Sequence, residues 1–205
     1  LECLEAHGES VHLRTAVELA AEVAGVLAGV LGGTPGSDTL IIHRGARAAH
    51  VLIDDGGAIK LTGFGVLRSA DEPSLIGLEG YTPPEGFQPN GSAYGIGAFL
   101  TEILIGDPPP AARAMQGEQD DLVEELLVAI LARGGEPVPD SVTDKVRDCL
   151  SHRAKERPAL GSLANELRDL SRTLEGPTLR AWAAAVVPGI LKGSGLAPPP
   201  KLLPL

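Results

Sequence analysis

The sequence predicts a mainly α-helical domain with one small β-hairpin. Apolar residues recur every three or four positions in several long segments, which is the spacing of helices that bury one face. Only one pair of short apolar runs, separated by an Asp/Gly turn, has the pattern of paired strands. The 205 residues, 43% of them hydrophobic, suffice to bury one good-sized core, so we expect a single folded unit.

The first elements are predicted from their boundaries as well as from their periodicity. Apolar side chains from Leu13 to Leu31 form a broad stripe, and the following run Gly-Gly-Thr-Pro-Gly ends this helix. The short runs Val51–Ile53 and Ile59–Leu61 flank an Asp-Asp-Gly-Gly turn and predict the hairpin. A central helix is predicted over Ala93–Ile105, which is apolar nearly all round and therefore buried.

The second half of the chain is predicted to be helical. Three prolines beginning at Pro108 prevent the central helix from continuing. Ser141 and Asp144 have the spacing of a capping box, which marks a helix start. An apolar face after Leu179 is predicted to stop at Pro188, and the proline-rich residues 197–205 are predicted to be extended or disordered. Further helices are predicted at about Glu118–Ala132, Ser141–Leu150 and Leu160–Leu174.

Composition excludes several classes of function. A net charge of −10 argues against nucleic-acid binding, which needs a clustered basic face. The longest apolar run, Ala16 to Leu31, contains Glu18 and Glu22, so we expect no membrane insertion. Cys3 and Cys149 do not suggest a disulfide framework, and no signal peptide opens the chain, so we expect a cytoplasmic protein.

Five motifs follow one another in a fixed order. They are His43-Arg44 with Arg47; Phe64-Gly65; the run Gly80 to Glu85, which reads GYTPPE; Tyr94 to Gly97 with Glu102; and Arg157-Pro158. In this order and spacing they resemble the C-terminal lobe of a eukaryotic-type Ser/Thr protein kinase, over roughly residues 10–172. The resemblance implies a kinase-like domain at 1–175 and a C-terminal helix with a proline-rich tail at 176–205. It also suggests a bacterial origin.

The resemblance assigns structural roles to six residues. It implies that Glu85 and Arg157 form a buried ion pair, and that His43 packs beneath Phe64 rather than acting in catalysis. The assigned residues are His43, Arg44, Phe64, Gly65, Glu85 and Arg157. Nothing before Leu13 resembles the glycine-rich loop or the phosphate-pairing lysine of a kinase N-lobe, so we expect this lobe to be lacking.

The departures from the kinase pattern are concentrated at the catalytic positions. Gly45 stands where the family has its catalytic base, and Gly63 and His50 stand at the magnesium-binding positions. We therefore expect a pseudokinase that is not an enzyme, takes no cofactor or metal, and acts as a protein-binding scaffold or regulatory subunit. The alternatives are an unconventional nucleotide-dependent transferase, or a Ser/Thr kinase fragment that needs an N-lobe from elsewhere.

Three surfaces are candidates for binding a partner: the vacated cleft around Arg44, Arg47 and His50, the shortened activation segment that ends at Glu85, and the C-terminal helix with its tail. Arg44 and Arg47 have lost their carboxylate neighbours and leave a cationic groove that suits an acidic or phosphorylated partner, unless it is merely solvated. Without an N-lobe, apolar groups near Phe64 and Val51 are exposed, which favours another protein chain or self-association. On the C-terminal helix, an apolar face with Leu179, Trp182 and Val186 either docks a partner or covers the domain's own lower helices.

Overall fold

The computed structural model describes residues 11–31, 43, 46–64, 79–86 and 91–193. These ranges contain mostly helix and one two-stranded antiparallel sheet, so the prediction of a mainly helical domain with one small hairpin is confirmed, while the lack of an N-lobe stays a prediction. The proline-rich residues 197–205 lie outside the described part of the chain. The elements in order are α1 (Leu13–Leu31), β1 (Val51–Ile53), β2 (Ile59–Leu61), α2 (Ser92–Ile105), α3 (Gln116–Ala132), α4 (Asp140–Leu150), α5 (Leu160–Thr173) and α6 (Leu179–Gly193).

The core lies where α1 and α2 meet the later helices. The apolar stripe of α1 is completely buried at Val17, Leu19 and Val23, and α1 packs along α5 and against α2. Helix α2 is buried on nearly every side, as its composition predicts. Gly97 permits its close approach to α4, because a Cβ atom at this position would lie 2.6 Å from the Cβ of Cys149.

The β-hairpin is closed by a side-chain cap. β1 and β2 pair in register, with Val51 opposite Leu61. The carboxylate of Asp54 accepts hydrogen bonds from the backbone N–H groups of Gly56, at 2.9 Å, and Ala58, at 2.8 Å. Gly57 has a φ of +80°, and a Cβ here would lie 2.8 Å from the Cα of Arg180. The turn therefore requires glycine both for its backbone conformation and for its contact with α6.

Helix α6 is joined to α1 by polar contacts at its start. Thr15 donates its hydroxyl hydrogen to the carbonyl of Pro177, at 2.9 Å. The carboxylate of Glu18 accepts the N–H of Leu179, at 2.7 Å, and thereby satisfies one of the unpaired donors at the helix N-terminus. The side chains of Leu179, Trp182 and Ala183 are buried. The division of the chain at residue 176 stays a prediction.

Two details of the predicted helices are wrong. Helix α4 begins at Asp140 after Pro139 and has no side-chain cap, so Ser141 lies inside the first turn instead of capping it. Helix α6 continues through Pro188 to Gly193. Proline removes the hydrogen bond to the carbonyl four residues earlier, and the helix tolerates this loss because Ala184 is exposed to water.

Membrane insertion was excluded on the sequence of α1. Among the helices that the structure describes, none combines the length and the apolar character needed to cross a bilayer.

Candidate functional site

His43 connects the loop before β1 to the end of β2. Its side chain is buried, and Nε2 donates to the carbonyl of Thr62 at 2.8 Å. The ring packs edge-on against Phe64 with centroids 4.6 Å apart. Burial lowers the pKa of His43, and nearby His50 lowers it further, while the hydrogen bond to Thr62 acts in the opposite direction. The imidazole is therefore neutral at pH 7 and serves as a structural link.

The loop from Arg47 to His50 is anchored from below by α2. Its residues 48–50 form a 3₁₀ turn, and the N–H of Ala48 donates to the carboxylate of Glu102 at 2.8 Å. Tyr81 is buried, and its hydroxyl lies near Glu102 without a hydrogen bond of normal geometry. Burial first, and then the Glu102 carboxylate, raise the pKa of Tyr81, while Arg47 lowers it. Glu102 thus anchors this loop through the N–H of Ala48.

Gly63 lies against the ring of His50. Its φ is +84°, and a Cβ atom here would lie 3.3 Å from three atoms of the imidazole. The N–H of Thr62, the residue before Gly63, also donates to the carbonyl of His50 at 2.9 Å, so the main chain beside Gly63 is bonded to His50 as well. A larger side chain at Gly63 would be strained by the backbone and crowded by the ring. Gly63 contributes no side-chain oxygen here.

Magnesium does not fit the residues at these two positions. Mg²⁺ prefers hard oxygen ligands, whereas position 63 has no side chain and an imidazole is a poor ligand for this ion. Asp54, at the far end of the hairpin, uses its carboxylate to close the turn. Within the described ranges, no group of three His, Cys, Asp or Glu side chains is placed to hold a metal ion.

Glu85 and Arg157 form a bidentate ion pair between distant parts of the chain. Nη1 and Nη2 of Arg157 donate to the two carboxylate oxygens at 2.6 Å and 2.8 Å. The Arg157 side chain is 1% exposed, and it also donates to the carbonyls of Ser151 and His152. Burial acts to raise the pKa of Glu85, but the hydrogen bonds and charge of Arg157 outweigh it, so the pKa is lowered. Glu85 is therefore ionised at neutral pH.

A buried polar side chain lies beneath this ion pair. The guanidinium of Arg157 sits 5.3 Å from the centroid of the Tyr94 ring. Gln119, which is completely buried, donates to the hydroxyl of Tyr94 at 3.4 Å and to the carbonyl of Leu150 at 3.1 Å. Its carbonyl oxygen accepts the N–H of Arg113 at 2.8 Å. Helices α2, α3 and α4 are joined at this point.

An open groove runs beside the ion pair. Its volume is about 310 Å³, and apolar surface predominates in its lining. The segments that form its two walls also meet outside the lining, at Gly80, where a Cβ would lie 1.9 Å from the carbonyl oxygen of Pro109. One wall is formed by residues that precede Glu85 in the sequence, and the other by residues that follow Pro110. The lining residues are Glu79, Thr82, Pro83, Pro84, Ala111, Ala112 and Ala114.

The structure separates the residues that were predicted to bind a partner. Leu179 and Trp182 are buried within the domain, so they are not presented to a partner, and only Val186 of this set is half-exposed. Val51 is buried as well, whereas its neighbour Leu52 is 55% exposed and Phe64 is 39% exposed. Arg47 is half-buried beside Tyr81.

Several other predictions lie on residues that the structure does not describe. Arg44, Gly45 and Gly65 are outside the described ranges, so the cationic groove and the replaced catalytic base stay predictions. Cys3 is outside these ranges too. Cys149 is completely buried, and burial raises the pKa of its thiol to about 12. The sequence predicted a binding role for the activation segment, to which Thr82, Pro83 and Pro84 of the first wall belong, but it gave no sign of the second wall or of the buried Gln119.

The chain is similar to serine/threonine protein kinases. It is 32% identical over 174 residues to the serine/threonine-protein kinase PkaA of Streptomyces coelicolor, which covers 78% of this chain and 31% of that protein. A probable serine/threonine-protein kinase, pknA2, of Bifidobacterium longum is 26% identical and covers 69% of this chain and 20% of its own length. A receptor-like cytoplasmic serine/threonine-protein kinase of Gossypium barbadense, named as EPD1-interacting, is 26% identical and covers 78% and 39%. No known protein-family profile matches.

These relatives support a kinase-like domain and correct one prediction. The expectation that the chain is not an enzyme is wrong, because the proteins to which it is related are named as kinases, which are enzymes. The chain spans about a third of the length of the Streptomyces relative. The relatives come from bacteria and from plants, so the bacterial origin of this chain stays a prediction.

Proposed function

We propose that this domain is the C-terminal-lobe part of a Ser/Thr protein kinase and that it holds the protein substrate during phosphoryl transfer. Nucleotide-binding elements would come from a segment or a chain outside this sequence. The observation that supports the proposal best is the ion pair between Glu85 and Arg157 beside an open groove. It lies in a chain whose relatives are named as Ser/Thr kinases.

The shape of the groove supports the binding of an extended peptide. Its walls contain Pro83, Pro84 and the segment after the proline run, so the backbone on both sides has little freedom to lose on binding. Small alanine side chains leave room for one side chain of the peptide. Among the described residues of the lining, Glu79 is the only charged one, which favours a basic residue near the acceptor Ser or Thr.

The chemistry available to the described residues defines what this domain contributes. Neither Gly63 nor His50 suits magnesium, so the groups that hold the nucleotide and its metal ion would be supplied by other residues. Binding a substrate in a fixed geometry is itself a large part of catalysis, because it removes translational and rotational freedom before reaction.

The test uses the full natural protein that contains this chain. It would be incubated with ATP carrying a radioactive γ-phosphate and with an arrayed library of peptides that contain Ser or Thr. We expect transfer to a subset of peptides. Replacing Ala114 by Trp fills the groove and should raise KM for these peptides by about tenfold or more, the loss expected when about 1.4 kcal/mol of binding is removed.

The matched control is Ala132→Trp, at an exposed alanine at the end of α3, which should leave KM unchanged. If the full protein transfers no phosphate to any peptide, the proposal is wrong. Equal effects of the two tryptophan substitutions would contradict the assignment of the groove.

A second candidate function is to bind another protein chain as a scaffold or regulatory subunit, which is compatible with catalysis. The observation that favours it is the exposure of two large apolar side chains, Leu52 and Phe64, on and directly after the hairpin. Sedimentation of the protein with the Leu52→Asp substitution should show a lost complex or a lost self-association. Leu131→Asp is the matched control, since Leu131 is also 55% exposed.

A further inference from the structure

We propose that Gln119 and His152 are positioning residues that set the separation of the two walls of the groove. This inference rests on the proposed function and goes beyond it, because neither side chain belongs to the groove lining. Both walls are attached to one polar network, and the network reaches them by two routes that start at the same residue, Arg157.

The first wall is fixed by the ion pair. Pro83 and Pro84 directly precede Glu85, whose two carboxylate oxygens are held by Arg157. The N–H of Gly86 donates to the carbonyl of Pro83 at 2.9 Å, which closes the turn around the glutamate. Any movement of Arg157 would therefore move this wall.

The first route to the second wall passes through the buried helices. Arg157 packs over the Tyr94 ring, and the hydroxyl of that ring accepts a hydrogen bond from Gln119. The side-chain carbonyl of Gln119 then accepts the N–H of Arg113, which lies between the lining residues Ala112 and Ala114. Gln119 is fully buried, so its amide has fixed partners and little freedom to adjust.

The second route is shorter and lies nearer the surface. Nη2 of Arg157 donates to the backbone carbonyl of His152 at 3.1 Å. The Nε2 atom of the same histidine donates to the carbonyl of Ala114 at 3.0 Å. The two routes from Arg157 thus end on adjacent residues, Arg113 and Ala114, in the segment that forms the second wall.

The arrangement has a consequence for affinity. A groove whose walls are already held apart at the bound distance loses less entropy when a peptide enters it. The expected occupant is an extended peptide with a central serine or threonine and a basic residue that faces Glu79. Loosening either route should weaken peptide binding even where the folded state persists.

The experiment compares three variants with the wild type. Gln119→Met removes both hydrogen-bonding groups and keeps the length of the side chain, so it leaves no large cavity. His152→Ala removes the imidazole on which the second route depends, at a half-buried position. Gln116→Met is the matched control, since Gln116 is an exposed glutamine on the same helix.

Two readouts are measured well below the unfolding temperature of each variant. Hydrogen exchange should be about tenfold faster at the N–H of Arg113 in Gln119→Met, the change expected for one lost hydrogen bond. It should also be faster at Gly86 on the opposite wall, which a purely local role of Gln119 does not predict. Dissociation constants are measured by fluorescence anisotropy with the tightest-binding member of an arrayed library of serine-centred dodecapeptides. They should rise about three- to tenfold in both route variants and stay unchanged in Gln116→Met.

The outcomes distinguish this inference from the proposed function. If the peptides bind and the dissociation constant is unchanged in both Gln119→Met and His152→Ala, the inference is wrong while the proposed function stands. If no library peptide binds the wild type but exchange at Gly86 responds to Gln119→Met, the coupling of the walls stands and the proposed function fails. Unchanged exchange at Gly86 would overturn the coupling itself.

Discussion

The region around the Glu85–Arg157 ion pair and the region around the hairpin are held together by different kinds of interaction. The ion pair fixes the first region through two hydrogen bonds between Arg157 and Glu85. The buried amide of Gln119 adds a hydrogen bond to the carbonyl of Leu150. The second is held mainly by hydrogen bonds to backbone, in which His43 and Glu102 each bond one main-chain group. The comparison teaches that a buried bidentate ion pair between distant segments fixes the first region, whereas single hydrogen bonds from side chains to main-chain groups fix the second.

The largest expected effect tests the ion pair. Arg157→Leu leaves the Glu85 carboxylate without its partner, and breaking a buried pair in this way costs about 3–5 kcal/mol of unfolding free energy. Urea denaturation measures this loss. The control is Arg147→Leu, which removes two ion pairs, with Glu124 and Asp144, that are largely exposed and should together cost about 1 kcal/mol or less. Equal losses in the two variants would remove the contrast between buried and exposed pairs.

The next effect concerns the anchor of the loop before β1. Glu102→Ala removes the acceptor of the Ala48 N–H and should lower the unfolding free energy by about 1–3 kcal/mol, the cost of an unpaired buried donor. Hydrogen exchange at Ala48 should become faster. Glu125→Ala on the exposed face of α3 is the control and should change neither quantity. If Ala48 stayed equally protected, the loop would not depend on Glu102.

A pair of glycines isolates the contact between Gly63 and His50. Gly63 and Gly86 have φ angles of +84° and +81°, but a Cβ at Gly63 would face His50, whereas one at Gly86 would have no described residue within 4 Å. Alanine at either position costs about 1–2 kcal/mol because of the backbone. The extra loss in Gly63→Ala, measured by urea denaturation, reports the crowding against His50. Identical losses would mean that the ring simply moves aside.

Acidification should affect the two regions in different pH ranges. His43 has a lowered pKa, so below the ordinary histidine value of about 6.5 the unfolded chain binds the proton first. Stability contributed by His43 is therefore lost as pH falls from there through the folded pKa. Glu85 also has a lowered pKa, and its contribution is lost only below the ordinary glutamate value of about 4.3. The order is tested by NMR titration of His43 and by urea denaturation of the wild type and Glu85→Gln from pH 7 to 3. A loss of the Glu85 contribution at a higher pH than the loss of the His43 contribution would contradict it.

Much of the fold was predictable because it depends on local pattern. The stripe from Leu13 to Leu31 and the Asp/Gly turn predicted α1 and the hairpin with correct bounds. The ion pair was also expected from two short motifs, since a glutamate and an arginine far apart in the sequence matched a known pairing. Pro188 misled because its effect depends on whether water can reach the carbonyl that it leaves unpaired.

The candidate site was less predictable, because it depends on which surfaces approach each other. Gln119 lies in a polar stretch, where nothing local distinguishes it from exposed Gln116. Its burial arises only when α3 packs against α2 and α4. The groove likewise forms between two irregular segments, which approach each other closely at Gly80 and Pro109. A contact between irregular segments leaves no periodic pattern in the sequence from which it could be predicted.

Trp182 offers a practical consequence of the way α6 docks. It is the sole tryptophan of the sequence, and its indole is 5% exposed in contact with the core. Tryptophan emission, excited selectively over that of the two tyrosines, therefore monitors the surroundings of this one helix. A red shift of the emission maximum at a denaturant concentration that leaves the circular dichroism unchanged would show that α6 detaches from the core before the rest of the domain unfolds.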